Sequence, residues 1–225
     1  MKLKHLKLIL AIVISLVQIQ FCISQDWANL ARFQEDNENI MNKKSEEPLI
    51  VFMGNSITEV WSSISPEFWE GQPFVNRGIS GQTTPQMLVR FRLDVVRLRP
   101  SKVVIMAGIN DIAGNTGPTT IQAIANNVFS MVEIADANNI EVLLCSVLPA
   151  FDFLWSPGLL PAPKVVELNK LLKTYAANNG HTYIDYHSAM KDSKDGLRKG
   201  LGDDGVHPNK DGYNIMENIL LPYLR

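Results

Sequence analysis

The feature that most constrains the fold is a short apolar run, residues 49–53, which lies between Pro48 and Gly54. A continuous apolar run of this length predicts a strand buried on both faces, as in a parallel sheet. The chain turns at Gly54 and continues with Asn55 and Ser56. In open α/β sheets, ligands bind at the carboxyl edge of the strands, where this turn lies. Ser56 is therefore a candidate nucleophile, although serine is also a preferred N-cap of helices.

The rest of the chain alternates between strand-like and helix-like segments. Val and Ile concentrate in the strand candidates, whereas Leu, Ala, Met and polar residues make up the helix candidates. This alternation predicts one α/β domain, residues 48–225, with a parallel sheet covered by helices on both faces. A leading surface helix and a charged linker, residues 25–47, precede that domain. The predicted strands are 49–53, 74–76, 102–107, 140–147 and 182–185, and the predicted helices are 84–97, 119–138, 164–178 and 210–223.

Composition permits an enzyme without arguing for one. The chain of 225 residues is long enough for a single α/β domain with a sizeable core. A hydrophobic fraction of 46% and a charged fraction of 20% are ordinary for a globular domain. The formal net charge of -2 provides no broad basic surface, so we expect no nucleic-acid partner.

The first 24 residues have the layout of a secretory signal peptide. Three lysines precede an uncharged, mostly aliphatic run over residues 8–23, and Cys22 and Ser24 occupy the -3 and -1 positions of a cleavage site before Gln25. The alternative is a retained membrane anchor, but the run is shorter than the roughly 20 residues of a span. A lipoprotein attached through Cys22 is a weaker alternative, because the bulky Phe21 precedes it. We expect an exported protein, periplasmic or extracellular, without stable membrane insertion after cleavage.

Polar or glycine-rich segments follow the predicted strands. They are residues 77–84 after the second strand, residues 108–111 after the third, and residues 203–208 before the last helix. Segments that follow parallel strands gather at one edge of a doubly wound sheet. Residues far apart in sequence are therefore expected to meet there.

These segments contain the groups that serine-dependent ester hydrolysis needs. Ser56 provides a hydroxyl, His207 a base that takes its proton, and Asp204 a carboxylate that orients the imidazole. The backbone N–H groups of Ser56 and Gly81, with the side-chain amide of Asn110, are candidate donors to the oxyanion.

Each of these residues also has a structural interpretation. Gly81 is compatible with a simple turn, and Asn110 with the cap of a loop. Asp204 is compatible with a turn acceptor, and His207 with a surface position before a proline. The catalytic interpretation is favoured because all the segments fall on the same predicted edge in a workable order.

Four short motifs resemble the blocks of the SGNH hydrolases, the GDSL-type esterases and lipases. The matching segments are Gly54-Asn55-Ser56-Ile57, Gly81 within residues 79–84, Gly108-Ile109-Asn110-Asp111, and Asp204-Gly205-Val206-His207-Pro208. The resemblance extends from about Pro48 to the C-terminus. Residues 78–84, followed by an Arg-containing helix, are most similar to the platelet-activating-factor acetylhydrolase-like branch.

The resemblance implies a flavodoxin-like α/β/α fold of three layers with five parallel strands in the order 2-1-3-4-5. It also implies a Ser-His-Asp mechanism without metal or cofactor, in which Ser56, Gly81 and Asn110 form the oxyanion hole. One position departs from the family pattern, because Asn55 stands where relatives carry Asp. Asparagine keeps a carbonyl acceptor but loses a negative charge, so we expect altered local hydrogen bonding and not loss of activity.

Candidate substrate contacts are less strongly indicated. The aromatic Phe153 and Trp155, in the segment 148–163 after the fourth strand, are candidates to line a pocket together with Asn55. Packing of this segment onto the body is the alternative. The small residues of 113–117 form a second candidate loop. The carboxylates of Asp192, Asp195 and Asp203 lack the ligand spacing of a calcium site, so we expect no metal there.

Together these features predict an exported serine esterase. The resemblance implies short-chain esters, chiefly acetyl esters on carbohydrate, as its substrates. A lysophospholipase-like or thioesterase-like acylhydrolase is an alternative within enzymes. A non-catalytic carbohydrate-binding relative is the alternative outside them. The substrate is a small-molecule or glycan ester in the favoured prediction, and the oligomeric state stays open.

Overall fold

The computed structural model describes residues 26–43 and 47–225. The predicted signal peptide, residues 1–24, lies outside this part of the chain. Within the described part, the strands form one five-stranded parallel sheet in the order β2-β1-β3-β4-β5, which confirms the predicted fold. The strands are β1 Ile50–Gly54, β2 Phe74–Gly78, β3 Lys102–Met106, β4 Glu141–Cys145 and β5 Thr182–Ile184.

Long helices cover the sheet where the apolar periodicity predicted them. The structure shortens two of the predicted helices at their C-terminal ends, where single 3₁₀ turns, Val96–Leu98 and Leu221–Tyr223, replace the α-helix. The leading helix is shorter than predicted, because turns occupy residues 27–33. The long helices are α1 Gln34–Asn42, α5 Thr84–Asp94, α7 Ile121–Asp136, α8 Ala162–Asn179 and α10 Lys210–Leu220.

Five helices of four or five residues within residues 26–43 and 47–225 were not predicted. Segments this short do not complete two turns, so they leave no hydrophobic period in the sequence. Three of them follow β1 in direct succession, and the others follow β3 and β5. They are α2 Ser56–Glu59, α3 Trp61–Ile64, α4 Pro66–Trp69, α6 Ile109–Ile112 and α9 Tyr186–Met190.

The two faces of the sheet bury separate apolar clusters. Alternate residues of a strand point to opposite faces, so Val51 and Met53 of β1 join one cluster and Ile50 and Phe52 the other. Helices α5, α7 and α8 cover the first face, and α3, α9 and α10 cover the second. This is the predicted three-layer arrangement.

Contacts on the second face fix the segment that follows β1. The Trp61 indole stacks on Phe68 with ring centroids 5.4 Å apart and donates a hydrogen bond of 2.9 Å to Glu217 Oε1. The Tyr213 hydroxyl donates to the Ile57 carbonyl at 2.6 Å. Glu217 and Tyr213 belong to α10, so these contacts hold the Ser56 helix against the helix that follows His207.

Among residues 26–43 and 47–225, no helix has the length and apolar character needed to cross a membrane.

Gly78, the last residue of β2, is tightly enclosed by the helix that carries Ser56. A Cβ atom at Gly78 would lie 2.1 Å from the Glu59 backbone nitrogen, so we expect Gly78→Ala to lower the free energy of unfolding by about 3 kcal/mol. The control is Gly71→Ala, at a position with φ +73° and no atom within 4 Å of the added Cβ. Conformational strain alone predicts a loss of about 1 kcal/mol there. Urea denaturation measures both values, and equal losses would contradict the packing argument.

Candidate active site

Ser56 lies at the first turn after β1, at the carboxyl edge of the sheet. Asn55 is the N-cap of α2, and its Oδ1 accepts a hydrogen bond of 3.1 Å from the Ile57 N–H. The Ser56 hydroxyl is therefore not the helix cap that serine at such a turn permits. Its Oγ lies 2.9 Å from His207 Nε2, across 151 positions of sequence.

His207 lies on the loop before α10 and is held by Asp204. Asp204 Oδ1 accepts the backbone N–H groups of Val206 at 2.9 Å and of His207 at 2.7 Å. Asp204 Oδ2 lies 2.6 Å from His207 Nδ1. A carboxylate only accepts hydrogen bonds, so the ring proton belongs on Nδ1 and Nε2 is left to accept the Ser56 hydroxyl.

The environment of Asp204 keeps its carboxylate charged. Burial disfavours the charged form, but the hydrogen bonds from His207 and Val206 outweigh it and hold the pKa of Asp204 below its usual value. A charged Asp204 stabilises the imidazolium that forms when His207 accepts a proton.

The candidate oxyanion donors belong to segments that are bonded to the Ser56 helix or to one another. Gly81 has φ +76° in the turn after β2, a conformation that favours glycine. The Asn110 amide donates one hydrogen bond of 3.0 Å to the Gln82 carbonyl, and a primary amide has a second N–H to offer. Glu59 Oε2 accepts the Ser80 N–H at 2.7 Å, which ties this turn to the Ser56 helix. The structure thus brings the segments of Ser56, Gly81 and Asn110 together.

Asp111, which follows Asn110, secures the start of α5. Its carboxylate accepts the Thr84 N–H at 2.9 Å and the Thr84 hydroxyl at 2.6 Å. Burial raises the pKa of Asp111 to about 6 in spite of these hydrogen bonds. The sequence motif 108–111 indicates no separate role for Asp111. Its contact with Thr84 joins α6 to the start of α5 and leaves no signal in local sequence.

The aromatic segment after β4 reaches the site through Trp155. The Trp155 ring is 52% exposed, and its centroid lies 6.2 Å from that of His207. Phe153 stacks behind Trp155 at 4.9 Å and is fully buried. Asn55 is also buried, at 2% exposure. We had expected Asn55, Phe153 and Trp155 all to face the substrate, but only Trp155 has surface to do so, because Asn55 is used as a helix cap and Phe153 as a support.

The loop 113–117 contacts the Gly81 turn. Asn115 Nδ2 donates to the Gly81 carbonyl at 3.0 Å, and the Thr116 hydroxyl bonds to that of Thr83 at 3.1 Å. Both side chains are polar, so they contribute polar groups and no apolar surface to this border of the site.

Within the described residues, no group of three or more His, Cys, Asp or Glu side chains is arranged to hold a metal ion. Asp192 instead accepts backbone N–H groups of Lys194 and Gly196, and Asp195 pairs with Lys191 at 2.6 Å. These carboxylates stabilise a turn and an ion pair.

The model of the GDSL-like Lipase/Acylhydrolase family matches residues 52–215. The chain therefore belongs to the GDSL-like lipase/acylhydrolase family, the SGNH hydrolases, as its four motifs predicted. No curated protein matches the chain.

Three of the solved structures that share the fold illustrate the relationship. A protein from Bacteroides fragilis described as an acylhydrolase is 44% identical, with a TM-score of 0.85 over 89% of this chain and 97% of that one. A GDSL-like lipase from Bacteroides thetaiotaomicron is 41% identical, with a TM-score of 0.84 over 88% of this chain and 97% of that one. A protein from Streptococcus pneumoniae described as a platelet activating factor is 22% identical, with a TM-score of 0.72 over 96% and 99%. The last likeness shows the fold alone.

The cap role of Asn55 predicts the outcome of restoring the residue usual in the family. In Asn55→Asp a carboxylate oxygen still accepts the Ile57 N–H, so we expect kcat/KM for p-nitrophenyl acetate to stay within about tenfold of wild type. The added charge beside Ser56 is expected to displace the pH profile of kcat/KM. Steady-state kinetics between pH 5 and pH 9, roughly the range in which histidine and its neighbours titrate, measure both effects. A fall of kcat/KM to background in Asn55→Asp would contradict the cap interpretation.

Proposed function

We propose that this protein is an exported serine esterase that removes short acyl groups, chiefly acetyl groups, from carbohydrate. The observation that carries the proposal is the unbroken hydrogen-bond chain from Ser56 Oγ to His207 Nε2 and from His207 Nδ1 to Asp204, at 2.9 and 2.6 Å. Binding alone does not require such a chain. Export rests on the sequence of residues 1–24.

The proposed mechanism follows from these contacts. Ser56 Oγ attacks the ester carbonyl carbon while His207 Nε2 takes the hydroxyl proton, and Asp204 stabilises the resulting imidazolium. The N–H groups of Ser56 and Gly81 and the Asn110 amide donate to the oxyanion, where one donor is worth about 3–4 kcal/mol of barrier. Collapse of the tetrahedral intermediate breaks the bond between the acyl carbon and the alcohol oxygen. The alcohol leaves with the proton from His207, and the acyl group stays on Ser56. Water, activated by the same imidazole, then releases the acid and restores Ser56.

The preference for acetylated carbohydrate is supported by the two borders of the site. Asn115 and Thr116 border the Gly81 turn with polar groups, which do not favour a long acyl chain. On the other side, the exposed Trp155 ring beside His207 offers a flat apolar surface to the face of a sugar ring.

One observation favours the second candidate, a lipid-type acylhydrolase. Leu154 and Leu160 are 71% and 51% exposed on the same segment as Trp155. Exposed apolar side chains near a site are also suited to an acyl chain.

Covalent labelling tests the serine mechanism. We expect a fluorophosphonate to label wild type at Ser56, and Ser56→Ala to abolish labelling. Asp204→Asn is expected to slow labelling by about three orders of magnitude or more, because the imidazole loses its orienting acceptor. The matched control is Ser63→Ala, since Ser63 is an exposed serine that bonds the Val60 carbonyl. Absence of labelling in folded wild type would favour the non-catalytic carbohydrate-binding alternative.

A substrate panel separates the two acyl classes. For p-nitrophenyl esters from acetyl to palmitoyl, we expect kcat/KM to be highest for acetyl. Trp155→Ala is expected to lower kcat/KM about tenfold for an acetylated oligosaccharide and to leave p-nitrophenyl acetate nearly unchanged, because the ring contacts the sugar. Tyr223→Ala, which removes an exposed aromatic ring at the C-terminus, is the control. A rate that rises with acyl length, with Trp155→Ala affecting only long chains, would support the lipid-type alternative.

A further inference from the structure

The leading segment, residues 26–43, lies outside the part of the chain that the family model matches, residues 52–215. It nevertheless contacts the oxyanion loop, which we define as residues 79–83. Gln82 Nε2 donates to the Ala28 carbonyl at 2.8 Å in a buried contact. Gln86 Nε2, just beyond the loop, donates to the Trp27 carbonyl at 2.7 Å.

Gln82 is the junction between the leading segment and the candidate oxyanion donors. Gln82 is buried, with only 3% of the residue exposed, and its Oε1 accepts from Arg90 Nε at 2.5 Å. Its backbone carbonyl accepts the Asn110 amide at 3.0 Å. Gln82 follows Gly81 directly, so one residue is bonded to the leading segment, to Arg90 and to Asn110.

Arg90 extends this network to the nucleophile turn. Its guanidinium is fully buried, pairs with Asp94 at 3.0 Å, and donates to the Gly54 carbonyl at 3.1 Å. Gly54 lies two residues before Ser56. The same group therefore contacts the turn that carries the nucleophile and the residue that holds the oxyanion loop.

The leading segment also contacts this network through its helix. Asn37 Nδ2 donates to Asp94 Oδ1 at 2.9 Å, and Asn37 Oδ1 accepts from Arg77 Nε at 3.0 Å. Arg32, which precedes this helix, pairs with Glu59 at 3.3 Å, and the other carboxylate oxygen of Glu59 accepts the Ser80 N–H. The segment thus contacts the oxyanion loop directly at Gln82 and reaches Ser80 through Glu59.

The buried N–H donor of the Gln82 side chain depends on the leading segment for its acceptor, the Ala28 carbonyl. A buried polar group without a partner costs about 1–3 kcal/mol, so a Gln82 amide deprived of the Ala28 carbonyl would seek another arrangement. The acceptor of the Asn110 amide is the backbone carbonyl of Gln82 itself, and Gly81 is the preceding residue. Any such shift of Gln82 therefore moves the Gly81 N–H and this carbonyl together. A misplacement of about 1 Å at a reacting centre can cost 10²-fold in rate.

We propose that Gln82 is a positioning residue through which the leading segment holds the oxyanion hole in its working geometry. This inference rests on the proposed esterase function. It assigns residues 26–43 to the active-site support and not to a detached linker.

Gln82→Glu tests the inference, because it keeps an acceptor for Arg90 and removes the donor to Ala28. Kinetics with p-nitrophenyl acetate are measured per serine labelled by a fluorophosphonate, so that misfolded molecules do not count. We expect kcat per labelled serine to fall about tenfold, with KM within about twofold. Gln72→Glu, an identical change at an exposed turn before β2, is the control and is expected to have wild-type kinetics.

Gln86→Glu is the second variant, and it is expected to fold, since glutamate is favoured at the third position of a helix. It retains the acceptor for the Thr83 N–H and loses only the donor to Trp27, and we expect kcat to fall about threefold with an unchanged Tm. If Gln82→Glu does not fold, Gln86→Glu decides alone.

The failures are distinguishable. A wild type that is neither labelled nor active overturns the proposed function and this inference with it. A labelled, active wild type whose two variants both keep kcat per labelled serine within experimental error overturns the inference alone, as does an equal loss in Gln72→Glu.

Discussion

The parallel register of β1 between β2 and β3 is the constraint on which the site depends. Gly54 pairs with Gly78 on one side and with Met106 on the other, so three connections leave the sheet at the same height. Neighbouring strands lie about 4.8 Å apart, and the turns that begin at their ends are therefore adjacent before any side chain is placed. The hydroxyl of Ser56, the Gly81 turn and the Asn110 helix start from these three strands. A register shift of one residue would separate them.

Buried polar groups beneath those turns then select one arrangement. Arg90 bonds with all three of its nitrogens, to Gln82, Asp94, Gly54 and Arg77. A buried ion pair contributes little net stability, because desolvation of two charges offsets their attraction. A buried ion pair that lacks some of its hydrogen-bond partners is costly, however, and that free-energy penalty disfavours alternative positions of the loops. Arg90 therefore fixes the geometry of these turns more than it raises the free energy of unfolding. The leading segment adds a hydrogen bond from Asn37 to Asp94, the partner of Arg90.

The sequence predicted the sheet well, because β1, β3 and β4 are short, mainly apolar runs bounded by turn residues. It predicted α7 and α8 for a similar reason, since helices of this length repeat their apolar face several times. It did not predict α2 to α4, where the decisive interactions are the contacts of Trp61 with Phe68 and Glu217 and of Tyr213 with Ile57. Those partners are up to 156 positions apart, and no local pattern reports them. The same limit applies to Phe153. Its aromatic side chain suggested a pocket residue, but it is buried in the core.

The sequence by itself determined the class of the fold, the family and the residue types available at the carboxyl edge. Hydrophobic periodicity and the placement of glycines are local properties of the sequence. The four motifs are local as well, and they occur in the order that the family shows. Only the tertiary structure decided which polar groups bond to each other. It made Asn55 and not Ser56 the helix cap, placed the Ser56 hydroxyl on His207, and joined Gln82 to Ala28. Hydrogen bonds need partners within about 3 Å, and only the folded chain brings residues so distant in sequence to that distance.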